Sequence, residues 1–297
     1  MENIQSRVNK LTNISEYRFK ADTIKNVLIE FKEELKKANF EKAISIDKRK
    51  HPVFIEPKKL IENVDKYLEN NRFCVKFTPE NIIDGYGNIA VSYNGNPYIT
   101  LSLALMALRT HNNIVFFSQK YYAINSIIIQ SLNNACKKQK YVDEIGIIEF
   151  SDEEKIVQNQ SLFDLMIYIG DKREFLKMKR KISLPIIYNG YNYIDVYVES
   201  KEFKELLLDI DKFANQNDIT VNYFDNTSHD ETFKFINKYE VSDCFVLFSK
   251  NTDTIYKFMS QIRVNRFYIN QNPFIDYKFE FDEKDLVYNK KIFLKKI

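Results

Sequence analysis

Phe19, Ile24, Val27, Leu28, Phe31, Leu35 and Phe40 recur at near-helical spacing, which predicts a helix over 14–45 with Ser15 as its N-cap. His51-Pro52 punctuates the chain, and Glu56 to Asn70 reads as a second helix with Pro57 in its first turn. From Gly87 the pattern changes. Asn88 to Tyr93 is short and β-prone, and Asn94-Gly95-Asn96-Pro97 is a turn cluster. Ile99 to Arg109 sets Leu101, Leu105 and Leu108 on one stripe, and Ala104 and Ala107 allow close packing. Ile114 to Phe117 is a continuous apolar run, as expected of a strand buried on both faces of a parallel sheet. A helix from Tyr122 to Lys138 leads to the apolar run Ile145 to Ile148. Leu165 to Ile169 reads as a strand ending at Gly170, followed by a helix from Asp171 to about Lys181. Pro185 to Tyr188 is a strand ending at Asn189-Gly190, and Asp195 to Val198 is one more. Strands alternating with helices predict an α/β fold with a doubly wound, mostly parallel, Rossmann-like sheet.

In an open parallel sheet, ligands sit beyond the carboxyl ends of the strands. Asn94 to Pro97, Ser118, Gly170 and Asn189-Gly190 occupy such ends. Composition adds limits. The 297 residues suffice for a full core, and 44 Lys+Arg against 41 Asp+Glu give no mandate for nucleic acid. The densest basic run, Lys177 to Lys181, reads as a solvated helix end. The N-terminus carries charges throughout, unlike a signal peptide, and no apolar stretch reaches membrane-spanning length. Cys74, Cys136 and Cys244 are an odd count without paired spacing, so a reduced, cytoplasmic protein is the expectation. His51, His111 and His229 lack metal-ligand spacing, and Ser228-His229-Asp230 reads as a polar turn, since triad members meet in space rather than side by side. No Walker loop or GxGxxG is present, and the chain holds only 6 glycines.

The segment NPYITLSLALMALRTHNNIVFFS, Asn96 to Ser118, resembles the cofactor-domain core of the aldehyde dehydrogenase superfamily. In its CoA-acylating branch an Asn-Pro turn leads into a helix ending in a basic-Thr-basic-Asn stretch, followed by an apolar strand and a serine. In the glutamate-5-semialdehyde dehydrogenase branch, also called gamma-glutamyl phosphate reductase, Tyr93, Pro97 and Thr100 fit the corresponding frame, while Asn96 replaces an arginine. Residues 162–200 resemble the following glycine-bearing strand end, helix and Pro-led strand. Residues 235–273 resemble the closing segment, in which Ile269-Asn270 matches a Val-Asn or Ile-Asn pair.

The resemblance implies binding of NAD or NADP and a cysteine thiolate that attacks an aldehyde, with an amide donor at the developing oxyanion. Asn96 matches the oxyanion-stabilising asparagine, with a turn former as the alternative. Ser118 matches a position near the adenosine ribose, with a helix-capping hydroxyl as the alternative. Gly170, Asn189 and Gly190 fall at cofactor-facing strand ends, but Asp171 stands where a second glycine is frequent, and a carboxylate there repels pyrophosphate. The family's long catalytic block after Val198 is absent: Glu199 to Thr232 is short, charged and cysteine-free, one helix (Phe203 to Phe213) and one strand (Ile219 to Phe224). Cys244 is the cysteine left in that region, either a nucleophile or a small buried hydrophobe. The expected organisation is a cofactor-type domain over 1–199, a remnant catalytic domain over 200–272 and a tail over 273–297. In that tail Tyr277 to Phe281 alternates aromatic and charged residues as a partner-facing strand would. Three functions compete: a degenerate relative that binds a nucleotide or partners a complete relative, an active NAD(P)-dependent oxidoreductase of an acyl-CoA or acyl phosphate, and a homo-oligomeric assembly module.

Overall fold

The computed structural model describes residues 21–49, 55–69, 76–77, 81–118, 120–140, 146–149, 154–189, 193–199, 201–217, 219–225, 227–239, 244–264, 266–273 and 286–291. They form two compact units. The first takes its residues from 1–167, 182–187 and 280–297, the second from 168–181 and 188–279.

The first unit opens with α1 (Ala21–Lys37) and α2 (Phe40–Lys48). The single helix predicted over 14–45 is therefore two, because Asn39 caps α2, its side chain accepting from the Lys42 amide at 3.0 Å. Ser15 lies outside the described residues. After α3 (Pro57–Glu69) come β1 (Lys76–Phe77), β2 (Asn81–Gly85) and β3 (Asn88–Tyr93). Then follow α4 (Pro97–Arg109), β4 (Asn113–Ser118), α5 (Tyr122–Lys138), β5 (Gly146–Glu149), α6 (Glu154–Gln158) and β6 (Leu165–Ile169). Next are α7 (Lys172–Lys179) and β7 (Ile186–Asn189). The boundary between the units falls inside β6 and β7.

A five-stranded sheet has the order β5-β4-β3-β6-β7, with β3 parallel to β4 and β4 to β5. The chain starts in the middle and winds outward both ways, as the strand–helix alternation predicts. The side chains of β6 are all buried, and β3 and β4 each have one partly exposed residue, which is why these strands read as continuous apolar runs. Helix α4 is buried nearly all round rather than along one stripe, Arg109 included. The Arg109 guanidinium donates to the Tyr67 carbonyl at 3.0 Å and lies 5.1 Å from the Tyr67 ring centre.

The second unit carries β8 (Tyr193–Val198), α8 (Lys204–Asn217), β9 (Thr220–Phe224), α9 (His229–Tyr239), β10 (Cys244–Phe248), α10 (Thr252–Gln261) and β11 (Arg266–Ile269). Its sheet, order β11-β10-β8-β9, is parallel throughout. The strand read as the last of the first sheet thus belongs to the second. It is apolar enough for either, and strand pairing over dozens of residues leaves no local mark. Alternation along β10 divides the core. Cys244, Val246 and Phe248 pack with Ile194, Ile210 and Ala214 on one face, and Phe245 and Leu247 pack with Phe233 and Phe258 on the other. Between β8 and α9 the described elements are a 3-10 turn, α8 and β9.

A third sheet has the order β1-β2-β12, where β12 (Val287–Lys291) pairs antiparallel with β2. Part of the tail therefore completes a sheet within its own chain. Tyr277 to Phe281 lies outside the described residues. Among the described residues no helix is long and apolar enough to cross a membrane.

Candidate functional site

The carboxyl ends of β3 and β4 meet in a buried polar network. Gly95, with φ of +98°, turns the chain out of β3; a Cβ there would meet the Lys120 carbonyl oxygen at 2.1 Å and Ser118 Oγ at 2.3 Å. Only glycine combines that backbone with that closeness. Asn96 follows as the N-cap of α4: its Oδ1 accepts from the Tyr98 amide at 2.9 Å, and Pro97 occupies the first helical position. Its own amide donates to Asn94 Oδ1 at 3.1 Å. Asn96 is buried, yet its Nδ2 is engaged by no described residue.

Behind the turn, Thr100 hydrogen-bonds the Tyr93 hydroxyl and donates to Asn125 Oδ1 at 2.8 Å. Asn125 Nδ2 donates to the Gly95 carbonyl at 2.7 Å. Burial pushes the Tyr93 hydroxyl well above the ordinary phenol range, and its Thr100 and Ser118 partners pull it part of the way back. Ser118 is buried and its Oγ donates to the Lys120 carbonyl at 2.6 Å. The serine neither caps a helix nor offers its hydroxyl proton outward: it closes the same turn that Gly95 opens.

The N-terminus of α5 is capped from elsewhere. Tyr121, its N-cap residue, makes no side-chain cap bond; the buried Asp47 carboxylate of α2 accepts from Ala123 N at 3.1 Å and Ile124 N at 3.0 Å. At α7, Asp171 accepts from Arg173 N at 2.6 Å and Glu174 N at 3.3 Å, and also holds the Arg173 guanidinium at 2.8 Å. Burial pushes the Asp171 carboxyl up, but Arg173 and the two helix amides outweigh it and hold it below the ordinary carboxylate range. The helix-start role of Asp171 is thus that of the N-cap of α7.

The expected site residues fall into three places. Asn96 and Ser118 are joined through one network. Gly170 and Asn189 meet as ladder partners of β6 and β7, the Gly170 amide donating to the Asn189 carbonyl at 3.2 Å; Gly190 lies outside the described residues. Cys244 stands apart, fully buried, at the amino end of β10 in register with Ile194 and Arg266. Cys136 is buried on α5, and Cys74 lies outside the described residues. Two contributors, Asp47 and Asn125, escape the sequence reading. Asn125 had a signal, a polar residue on the apolar stripe of Ile128, Ile129 and Leu132. Asp47 had none, since its partners are 76 and 77 residues away.

No family model and no curated protein matches the sequence. Solved structures do. A gamma-glutamyl phosphate reductase from Thermotoga maritima is 14% identical with a TM-score of 0.60, over 98% of this chain and 98% of that one. Aldehyde dehydrogenase 21 from Physcomitrella patens is 11% identical with a TM-score of 0.64, over 97% and 89% of the two chains. A probable aldehyde dehydrogenase from Listeria monocytogenes is 10% identical with a TM-score of 0.64, over 99% and 96%. At these identities the likeness speaks for architecture, and the architecture of this chain is the aldehyde dehydrogenase fold.

Proposed function

We propose that this protein is a degenerate relative of the aldehyde dehydrogenases that acts by binding, in the cytoplasm, as a homo-oligomer or as the partner of a complete relative, and performs no thiol chemistry. The burial of Cys244 carries the reading. A nucleophilic thiol needs a polar, accessible setting that favours the thiolate. Cys244 is fully buried among Ile194, Val196 and Val246, at the end of its strand away from the carboxyl edge where ligands gather. Its neighbours suit a small hydrophobe.

The fold family implies a nicotinamide dinucleotide, and the residues present fit one poorly. A pyrophosphate needs free helix N–H groups. At α4 Asn96 takes the Tyr98 amide, at α5 Asp47 takes two amides, and at α7 Asp171 takes two more and neutralises Arg173. Two of these three caps are carboxylates, which repel a phosphate as well as displace it.

Thermal shift with NAD, NADP, CoA and ATP, paired with turnover of an acyl-CoA, an acyl phosphate and an aldehyde, tests the reading. A ligand at ~100 times its Kd adds ~2.7 kcal/mol, so a missing shift is informative. Turnover that disappears in Cys244→Ala would refute the proposal. The competing reading, an active oxidoreductase, rests on Asn96, whose unengaged Nδ2 is the donor an oxyanion would require. It needs a thiol other than the buried pair, which leaves Cys74, so its signature is turnover lost in Cys74→Ala and kept in Cys244→Ala.

A further inference from the structure

The sheet of the second unit has one unguarded edge. β9 (Thr220–Phe224) pairs with β8 and with no other described strand. Edge strands are ordinarily protected from further pairing by charge, proline or a bulge. The opposite edge, β11, carries Arg266. β9 reads TVNYF, with no charge, no proline and no glycine, and its Thr220 and Tyr223 are exposed.

Both faces beside this edge are apolar as well. On one face the Tyr223 hydroxyl donates to Asp211 of α8 at 2.7 Å. Leu208, about one turn before Asp211 and so on the same side of α8, is 67% exposed. On the other face the Phe235 ring of α9 lies 5.4 Å from the Phe224 ring and is 38% exposed. An open strand with large apolar side chains above and below it suits a sheet that continues into another chain.

The strand is complementary to itself. Alternate residues of a strand turn their backbone groups to the same side, so an antiparallel partner must match outward residues with outward ones. For two identical strands the two-fold axis therefore passes through a residue pair, never between residues, and centring it on Asn222 overlaps all five residues of β9. Val221 then faces the partner's Tyr223, a β-branched residue against an aromatic one, and Thr220 faces the partner's Phe224. Asn222 meets its own copy, where an amide supplies both donor and acceptor. One Nδ2 hydrogen goes to Asp195 Oδ1 at 2.8 Å. The other is left for the partner, and the Asn222 Oδ1 is engaged by no described residue. A two-fold pairing uses up the edge on both copies and closes, whereas β9 on β11 would propagate.

We propose that two copies of this chain join β9 to β9, antiparallel about an axis through Asn222, into one continuous sheet. This names the surface of the homo-oligomer and rests on that reading. Light scattering on the full chain at ~50 μM, above the micromolar range of a modest interface, should give twice the mass of one chain. Tyr223→Lys sets an ammonium opposite the partner's Val221, and Leu208→Asp sets a carboxylate on the flank. Each should raise the dissociation constant of the dimer at least about tenfold, with circular dichroism confirming folded variants. Register is read by cross-linking in a Cys74→Ser background. Asn222→Cys should form an intermolecular disulfide under mild oxidation, because residues on the axis face each other at ~5 Å. Thr220→Cys should not, since the two copies of position 220 lie ~13 Å apart along the ladder. A single-chain mass overturns the proposal. So does a dimer that neither Tyr223→Lys nor Leu208→Asp weakens, or cross-linking of Thr220→Cys in place of Asn222→Cys. The two readings fail separately: a monomer without turnover sinks this interface alone, and turnover by an intact, register-confirmed dimer supports the interface and sinks the binding-only reading.

Discussion

Asp47 on α2 and Ile124 in the first turn of α5 are joined across 77 residues by a 3.0 Å hydrogen bond from the Ile124 amide to the Asp47 carboxylate. The same carboxylate takes Ala123 N, so one buried side chain satisfies two of the helix's orphan donors and places a negative charge at its positive end. Asp47→Ala should cost about 2 kcal/mol in urea unfolding, and Asp47→Asn, which keeps one acceptor, about half of that. An unchanged midpoint in Asp47→Ala would show that α5 caps itself.

The Gly95 turn should be intolerant of any side chain. A Cβ would lie 2.1 Å from the Lys120 carbonyl oxygen, which is backbone and has little room to retreat, and the backbone there has φ of +98°. Gly95→Ala should destabilise by ~2–4 kcal/mol through strain and displaced hydrogen bonds together. Gly170→Ala, where the nearest atom is the Tyr168 ring at 3.3 Å, should cost less than ~1.5 kcal/mol. Thermal unfolding of the two variants side by side measures the difference.

Which parts of this architecture were readable beforehand follows from the range of the interactions. Tyr122–Lys138 and Leu165–Ile169 have the bounds that periodicity assigns them, because helical spacing and an apolar run are local properties. The turn at Asn94 to Pro97 was legible for the same reason. The β1-β2-β12 sheet was not. Asn112 Nδ2 donates to the Leu286 carbonyl at 2.7 Å across 174 residues, while its Oδ1 accepts from Gly87 N at 3.0 Å. Nothing in either segment announces the other. The site shows the same division: Asn96 and Ser118 are marked by strand ends, while the Thr100–Asn125 hydrogen bond that holds their turn forms only once α4 and α5 are packed together.

Cys136 and Cys244 should resist alkylation in the folded protein. Both are buried, Cys244 within an apolar cluster, so that a thiolate is disfavoured and a reagent has no approach. Peptide mapping after native iodoacetamide treatment should find both unmodified, and both modified after unfolding in guanidinium. Rapid native modification of Cys244 would remove the basis for calling this chain free of thiol chemistry.

The acid sensitivity of the first unit should depend on Lys138. Its hydrogen bond holds the Glu34 carboxyl below the ordinary 4.5, so that contribution is present above pH 4.5 and is lost as pH falls through the lowered value. Lys138 itself is pushed up to about 12 by Glu30 and then Glu34; its contribution is complete below 10.5 and lost as pH rises through about 12. These groups lie at the surface, so the effect is small and screened by salt. Lys138→Met should lower Tm slightly at neutral pH, where the contribution is complete, and should converge on the unmodified chain below about pH 4.5, so that its acid decline at low ionic strength is flatter. A variant whose acid decline matches that of the unmodified chain would show that the pair is not coupled to folding.

Asn96 offers the sharpest separation between a structural and a chemical role, because its two side-chain atoms have different tasks. Oδ1 caps α4 through the Tyr98 amide, while Nδ2 is engaged by no described residue. Asn96→Asp keeps a capping acceptor and deletes the donor, whereas Asn96→Ala deletes both. On the binding-only reading, Asn96→Asp should unfold within about 0.5 kcal/mol of the unmodified chain and Asn96→Ala about 1 kcal/mol lower. Neither should alter turnover, because there is none to alter. On the oxidoreductase reading, Asn96→Asp would stay folded and lose about 10²–10³ in kcat, the usual effect of removing an oxyanion donor. Unfolding curves and turnover assays on the same two preparations distinguish the two, since only a chemical role separates stability from rate.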